Sequence, residues 1–150
     1  MLFSTRIAAM FFAVALLGWG IMHFLIGDFI AGRAPSWPEG VPGKIIWAYA
    51  SGVILVVAAV SIFSNQRTRF TVTCAGAMIL LWAGGRNLFI TLSTLDYGGQ
   101  LTNTGKALTI GFGALLVASS FKDAVKLSSI FTGLFFIASG IQHFIFIDFV

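Results

Sequence analysis

From Ile45 to Phe63, nineteen consecutive residues carry no charged side chain. That is close to the ~20 apolar residues an α-helix needs to cross the hydrocarbon core of a bilayer. Four further apolar runs of similar reach accompany it, and the charged residues fall almost entirely in the gaps between them. Of the 150 residues, 58% are hydrophobic and 9% charged, where a soluble domain would have roughly 25% charged. In hydrocarbon, backbone N–H and C=O groups have no water to bond, so such runs fold as helices that satisfy their own backbones. The implied fold class is all-α, a polytopic transmembrane helical bundle with the lipid bilayer as its first partner.

Five spans follow from the runs. The first is Ile7 to Gly27, with His23 as its only titratable member; the second is Ile45 to Phe63. The third, about Phe70 to Ile90, carries Arg86 near its end. A shorter fourth, about Gly105 to Phe121, opens at Lys106, and the fifth runs from about Leu127 to Ile147 with His143 inside it. The connecting segments are a Pro-rich loop (Ala31 to Gly43), a basic turn (Asn65 to Arg69), a polar loop (Thr91 to Thr104) and a charged turn (Lys122 to Lys126). The chain's start, with Arg6 ahead of an apolar run, has the outline of a signal peptide. No small-x-small cleavage site interrupts that run, so it reads as a retained first helix.

The nine basic residues are spread singly, with no basic stripe interleaved with aromatics, which argues against a nucleic-acid partner. With alternating spans, Arg6, Arg67, Arg69, Lys122 and Lys126 share one side, and Arg33, Lys44 and Lys106 the other. The positive-inside rule then sets the N-terminus in the cytoplasm. Cys74 is the single cysteine, which excludes an internal disulfide or a CxxC dithiol couple. It reads as a small packing residue, and any redox chemistry must borrow its electron carrier.

An internal repeat organises the chain. A shift of 120 residues lays Phe11–Ile30 onto Phe131–Val150, pairing Gly20 with Gly140, Ile21 with Ile141, His23 with His143, Phe24 with Phe144 and Asp28 with Asp148. Four spans return the chain to its starting side, so the repeat is parallel, about an axis along the membrane normal. Residues 1–126 then form a four-helix unit, and 127–150 the first helix of a second, truncated repeat.

At these residues the sequence resembles the DoxX family of small bacterial membrane proteins, in particular a duplicated DoxX-like subgroup. The carriers are Gly20-Ile21-Met22-His23-Phe24, Asp28-Phe29-Ile30-Ala31, the Pro-Ser-Trp-Pro loop at 35–38, Trp47-Ala48-Tyr49, Gly52, and Thr104-Gly105-Lys106-Ala107-Leu108. The resemblance implies a four-helix bundle per repeat in a bacterial plasma membrane, and a membrane partner in thiosulfate, quinone or thiol-stress chemistry. Relatives often have a His-Leu-Pro-like turn at the end of the third helix; this chain has Gly84-Gly85-Arg86-Asn87-Leu88 there.

Candidate site residues gather at one end of the bundle. The first, third and fifth helices run the same way, so His23, Arg86 and His143 lie near their outer ends, with Asp28 and Asp148 about a turn beyond. An ionisable group inside the membrane costs roughly 2.5 kcal/mol or more, so it should face the bundle and find a partner. The expectation is an outer polar cluster in which Asp28 or a loop carbonyl pairs with Arg86. The imidazoles of His23 and His143 have a structural role open to them, as helix caps, and a functional one, contacting a quinone-like or sulfur-containing ligand; haem ligation by the pair is a third. Arg86 offers a planar fork that suits a small anion, or else a structural pair with Asp28 or Asp96. Trp37, stiffened by Pro35, Pro38 and Pro42, would lid a pocket or serve as an interfacial turn. Gly20, Gly27, Gly52, Gly111, Gly113, Gly133 and Gly140 read as points of close helix packing.

No phosphate loop, metal-ligand spacing or Ser-His-Asp order stands out, and no catalytic residue is assigned. The leading expectation is an accessory or membrane component of a quinone- or thiol-linked redox system. His23, Asp28, Arg86, Trp37 and His143 would bind a quinone or a small anion, with redox proteins as partners. The alternatives are a small-solute or ion permeation protein and a non-catalytic membrane scaffold.

Overall fold

The computed structural model describes residues 3–30, 37–94, 99–118 and 122–145, the side chains of 3–5, 122–124, 142, 143 and 145 excepted. Every element in it is helical: α1 (Phe3–Ile26), α2 (Lys44–Ser64), α3 (Thr68–Met78), a π-helical segment (Ile79–Gly84), α4 (Gly85–Thr94), α5 (Gly99–Ala118) and α6 (Lys122–Ile145). The third expected span is thus one rod, Thr68–Thr94, with a π-helical middle. Three helices, Arg6–Ile26, Lys44–Ser64 and that rod, are long and apolar enough to cross a membrane, and Val125–Ile141 is a shorter apolar helix.

Local chemistry sets the helix ends. At the end of α1, Gly27 takes a left-handed φ of 68° and donates its N–H to the His23 carbonyl at 3.0 Å, a conformation glycine adopts at little cost. Asn65 ends α2 the same way, its N–H bonding the Ile62 carbonyl at 3.3 Å.

The polar loop expected over Thr91 to Thr104 is largely helix: α4 runs on to Thr94 and α5 begins at Gly99, six residues before the expected start. Threonine hydroxyls explain the difference, because they bond back onto the preceding turn and hide their polarity. Thr91 donates to the Asn87 carbonyl (2.8 Å), Thr94 to that of Ile90 (2.8 Å) and Thr104 to that of Gln100 (2.9 Å). Thr91 and Thr104 also meet across α4 and α5 at 2.9 Å, both buried.

Packing is arranged for lipid. The core is mostly small, with Ala13, Ala58, Ala59, Ala75 and Ala114 buried around Leu16 and Val72. Large apolar side chains point outward instead, among them Phe11, Leu25, Phe70, Leu81 and Phe144, each more than 70% exposed. Small residues inside let helices approach closely, and an apolar exterior belongs against hydrocarbon. α1 packs on α2; α3, the π segment and α4 pack on α5; α6 docks on α5.

The tightest crossing is between α1 and α2. A Cβ added at Gly20 would stand 2.6 Å from Val56 Cγ2 and 2.9 Å from the Gly52 carbonyl oxygen. The close packing expected at Gly133 and Gly140 is not found: nothing lies within 4 Å of a Cβ built at either. Both lie on faces of α6 turned away from α5, its packing partner. Cys74 likewise departs from its expected packing role and is exposed on α3, while Val72, Ala75 and Gly76 hold the buried side of that helix.

Candidate functional site

The end of the bundle where α1 runs into the loop before α2 is built around Phe29. Its ring lies parallel to Trp37 (centroids 5.7 Å apart, planes at 5°), tilted against Trp82 (5.6 Å) and edge-on to His23 (5.9 Å, 89°). Trp37 and Trp82 meet at 5.3 Å. Such aromatic pairs contribute about 0.5–1.5 kcal/mol each beyond the area they bury. Trp37 is also fixed through its own loop, its indole N–H donating to the Val41 carbonyl at 2.7 Å.

Trp82 reaches this cluster from the π segment. A π turn inserts one extra residue per turn and re-aims the side chains that follow, which is why such segments recur at functional sites. Its indole nitrogen is buried without a hydrogen-bond partner, as is the side-chain nitrogen of Asn87 one helical turn on. Arg86 sits over the Trp82 ring, its guanidinium carbon 5.7 Å from the centroid, within cation–π range.

Two chambers open between the α1–α2 hairpin and the rod. The larger, about 480 Å³, is walled by Phe29, Trp37, Trp47, Ile54, Leu81 and Trp82. The smaller, about 60 Å³, lies deeper and includes Trp19, His23, Leu55 and Ala107 in its wall. Phe29, Ser51, Met78 and Trp82 line both chambers. Ring-sized ligands bind in clefts of about 300–1,000 Å³ with apolar walls and few polar groups, a description the larger chamber meets.

His23 is buried, and its Nδ1 lies 2.7 Å from the Trp19 carbonyl oxygen. A carbonyl only accepts, so Nδ1 carries a proton, which leaves Nε2 of the neutral ring as an acceptor. Ser51, on α2, is 8% exposed and lines both chambers.

Of the residues expected at the site, His23, Trp37 and Arg86 come together around Phe29 and Trp82. Asp28 turns elsewhere: Lys44 donates to its Oδ2 at 2.7 Å, and the Phe29 N–H to its Oδ1 at 2.7 Å. Those two bonds, Lys44 first, hold the Asp28 carboxyl below its ordinary value. The expected Asp28–Arg86 pair is therefore replaced by Asp28–Lys44. Lys44 opens α2 next to the end of α1, whereas Arg86 lies beyond the aromatic cluster. The His143 side chain, Asp96 and Asp148 lie outside the described residues.

Sequence reasoning did not assign Phe29, Ser51 or Trp82 to this site. Trp82 owes its place to the π-helical segment Ile79–Gly84, which apolar periodicity does not reveal. Ser51 had no signal, since one serine in an apolar helix reads as ordinary packing. Among the described residues, no three His, Cys, Asp or Glu side chains are grouped to hold a metal ion. Compared with protein-family models, curated proteins and solved structures, the chain matches none.

Proposed function

We propose that this chain is a DoxX-like bacterial membrane protein that takes a small, flat, apolar ring compound of the quinone class out of the bilayer. It serves as an accessory or membrane component of a quinone- or thiol-linked redox system. The observation that carries this reading is the aromatic chamber of about 480 Å³ between the α1–α2 hairpin and the rod. A permeation pathway would need a polar, hydrated wall, and these walls are tryptophan, phenylalanine and aliphatic carbon. A scaffold alone would have no need of a chamber. His23 and Ser51 are the polar groups at the ligand's border, Arg86 packs over Trp82 in the wall, and the Asp28–Lys44 pair ties the loop in place. The recurrence of Gly-Ile-x-His-Phe at 140–144 marks, in the same reading, the start of a second DoxX-like repeat.

Thermal unfolding of the purified protein with short-chain quinones, thiosulfate, sulfite and small carboxylates tests the proposal, because a ligand of the folded state raises the melting temperature with occupancy. The expected result is a rise with quinones that the Trp37→Ala variant weakens about tenfold in ligand concentration, the loss of ~1.4 kcal/mol of binding. A rise with the anions alone, abolished in Arg86→Ala, would replace the ring ligand by an anion. No rise with any ligand would remove the binding role.

A further inference from the structure

Resting on that reading of the chamber, we propose that Ser51 and His23 favour, among the ring compounds it takes, those bearing a ring hydroxyl, which within the quinone class is the reduced form, over those bearing only a carbonyl. Both side chains are more than nine-tenths buried. Both line the 60 Å³ chamber that lies below the ring-sized one. They project from the two helices that cross at Gly20 and Gly52, Ser51 one residue before that crossing and His23 three residues after it, so both lie on the same side of the contact. The volumes divide the ligand: a ring fits the larger chamber, while the smaller holds a group of one or a few heavy atoms.

The hydrogen-bonding inventory decides which group that is. With Nδ1–H committed to the Trp19 carbonyl, neutral His23 presents only an acceptor, Nε2, and Ser51 presents a hydroxyl that can donate. A ring hydroxyl answers both at once, donating to His23 Nε2 and accepting from Ser51. A carbonyl or an ether oxygen accepts from Ser51 but leaves Nε2 unanswered, and a bare hydrocarbon ring leaves both. Buried polar groups left unpaired are costly, so the site discriminates against ligands that cannot meet them. No charged side chain lines either chamber, so the hydroxyl is bound as the neutral phenol-type group.

The test measures quenching of the intrinsic tryptophan fluorescence of the full chain in lipid nanodiscs. The probes are 4-butylphenol, its methyl ether 4-butylanisole, and butylbenzene, each expressed as mole fraction in the bilayer. In the wild-type protein the phenol is expected to bind about 3- to 10-fold more tightly than the ether, and the ether more tightly than butylbenzene, the range one hydrogen bond supplies. Ser51→Ala and His23→Phe should each erase most of the phenol's advantage over butylbenzene, whose own binding holds or tightens once a polar group it cannot pair is gone. Equal affinity for all three probes in the wild type overturns the hydroxyl selection but leaves ring binding standing. An undiminished phenol preference in both folded variants overturns the assignment to these residues. Absence of binding by every probe removes the ring-binding reading together with this one.

Discussion

Gly20 and Gly140 sit in nearly the same sequence, Gly-Ile-Met-His-Phe and Gly-Ile-Gln-His-Phe, yet their surroundings are opposite. At Gly20 a methyl group would run into Val56 and the Gly52 backbone; at Gly140 it would meet nothing within 4 Å. The difference teaches that the pentapeptide does not itself specify a packing site. α1 has α2 laid across it, whereas among the described residues α6 packs chiefly on α5, and nothing lies within 4 Å of a Cβ built at Gly140. A glycine in a membrane helix is therefore a permission for close approach, realised only where a second helix takes it up.

The largest expected effect breaks this comparison directly. Gly20→Ala should destabilise the protein by about 1–3 kcal/mol, the cost of forcing a methyl group into an overpacked contact. Its neighbours there include backbone atoms of Gly52 and Val56, which cannot swing aside. Gly140→Ala should be neutral or stabilising by up to ~1 kcal/mol, since alanine holds a helix better than glycine when space is open. Unfolding of both variants in the same detergent measures the contrast. Equal losses at the two positions would mean that the open face of α6 is covered in the folded protein.

A middle-sized effect sharpens the comparison along α6 itself. Its packed face meets α5 at Gly105, where an added Cβ would run into the edge of the Phe135 ring. The obstacle is a side chain that can turn, so Gly105→Ala should cost less than Gly20→Ala, about 1 kcal/mol. The loss should come mainly from the α5–α6 seam, read as faster hydrogen exchange in α6 with α1 and α2 unchanged. Exchange that rises throughout the bundle would show that α6 is not the separately held element its contacts describe.

Three of the five expected spans, Arg6–Ile26, Lys44–Ser64 and Thr68–Thr94, were legible as long apolar helices, because about twenty apolar residues in hydrocarbon have one economical backbone solution. Where the expectation failed, the reason is local. Thr91, Thr94 and Thr104 look like loop residues in composition, but each returns its hydroxyl to its own helix. The expected polar cluster was legible only in part. His23, Trp37 and Arg86 do converge, but on the rings of Phe29 and Trp82, while Asp28 is bonded by Lys44. The two chambers depend on how far the hairpin stands off the rod, and on the π segment that turns Trp82 toward the gap. Neither is written in hydrophobic periodicity.

The smallest expected effect concerns a second means by which α2 holds the first Gly-Ile-x-His-Phe stretch. Lys44, the first residue of α2, bonds Asp28 just past the end of α1, and the partners' side chains are 49% and 38% exposed. The Asp28 carboxyl titrates below its ordinary value when folded, first because of the Lys44 bond and then because of the Phe29 N–H. A depressed folded value means that the pair's contribution is present in full above the unfolded carboxyl value of about 3.9 and is lost as pH falls through the folded one. Exposure and solvent screening keep it to at most ~1 kcal/mol. Melting temperatures of wild type and Asp28→Asn should therefore differ by a small constant amount from pH 7 to about pH 5 and converge below about pH 4. Raising the salt to about 1 M, where the Debye length shrinks to ~3 Å, should reduce the gap at neutral pH. A gap that persists undiminished well below pH 3, with Asp28 protonated, would show that the Lys44 pair does not set it and leave the close contact at Gly20 as what binds α1 to α2.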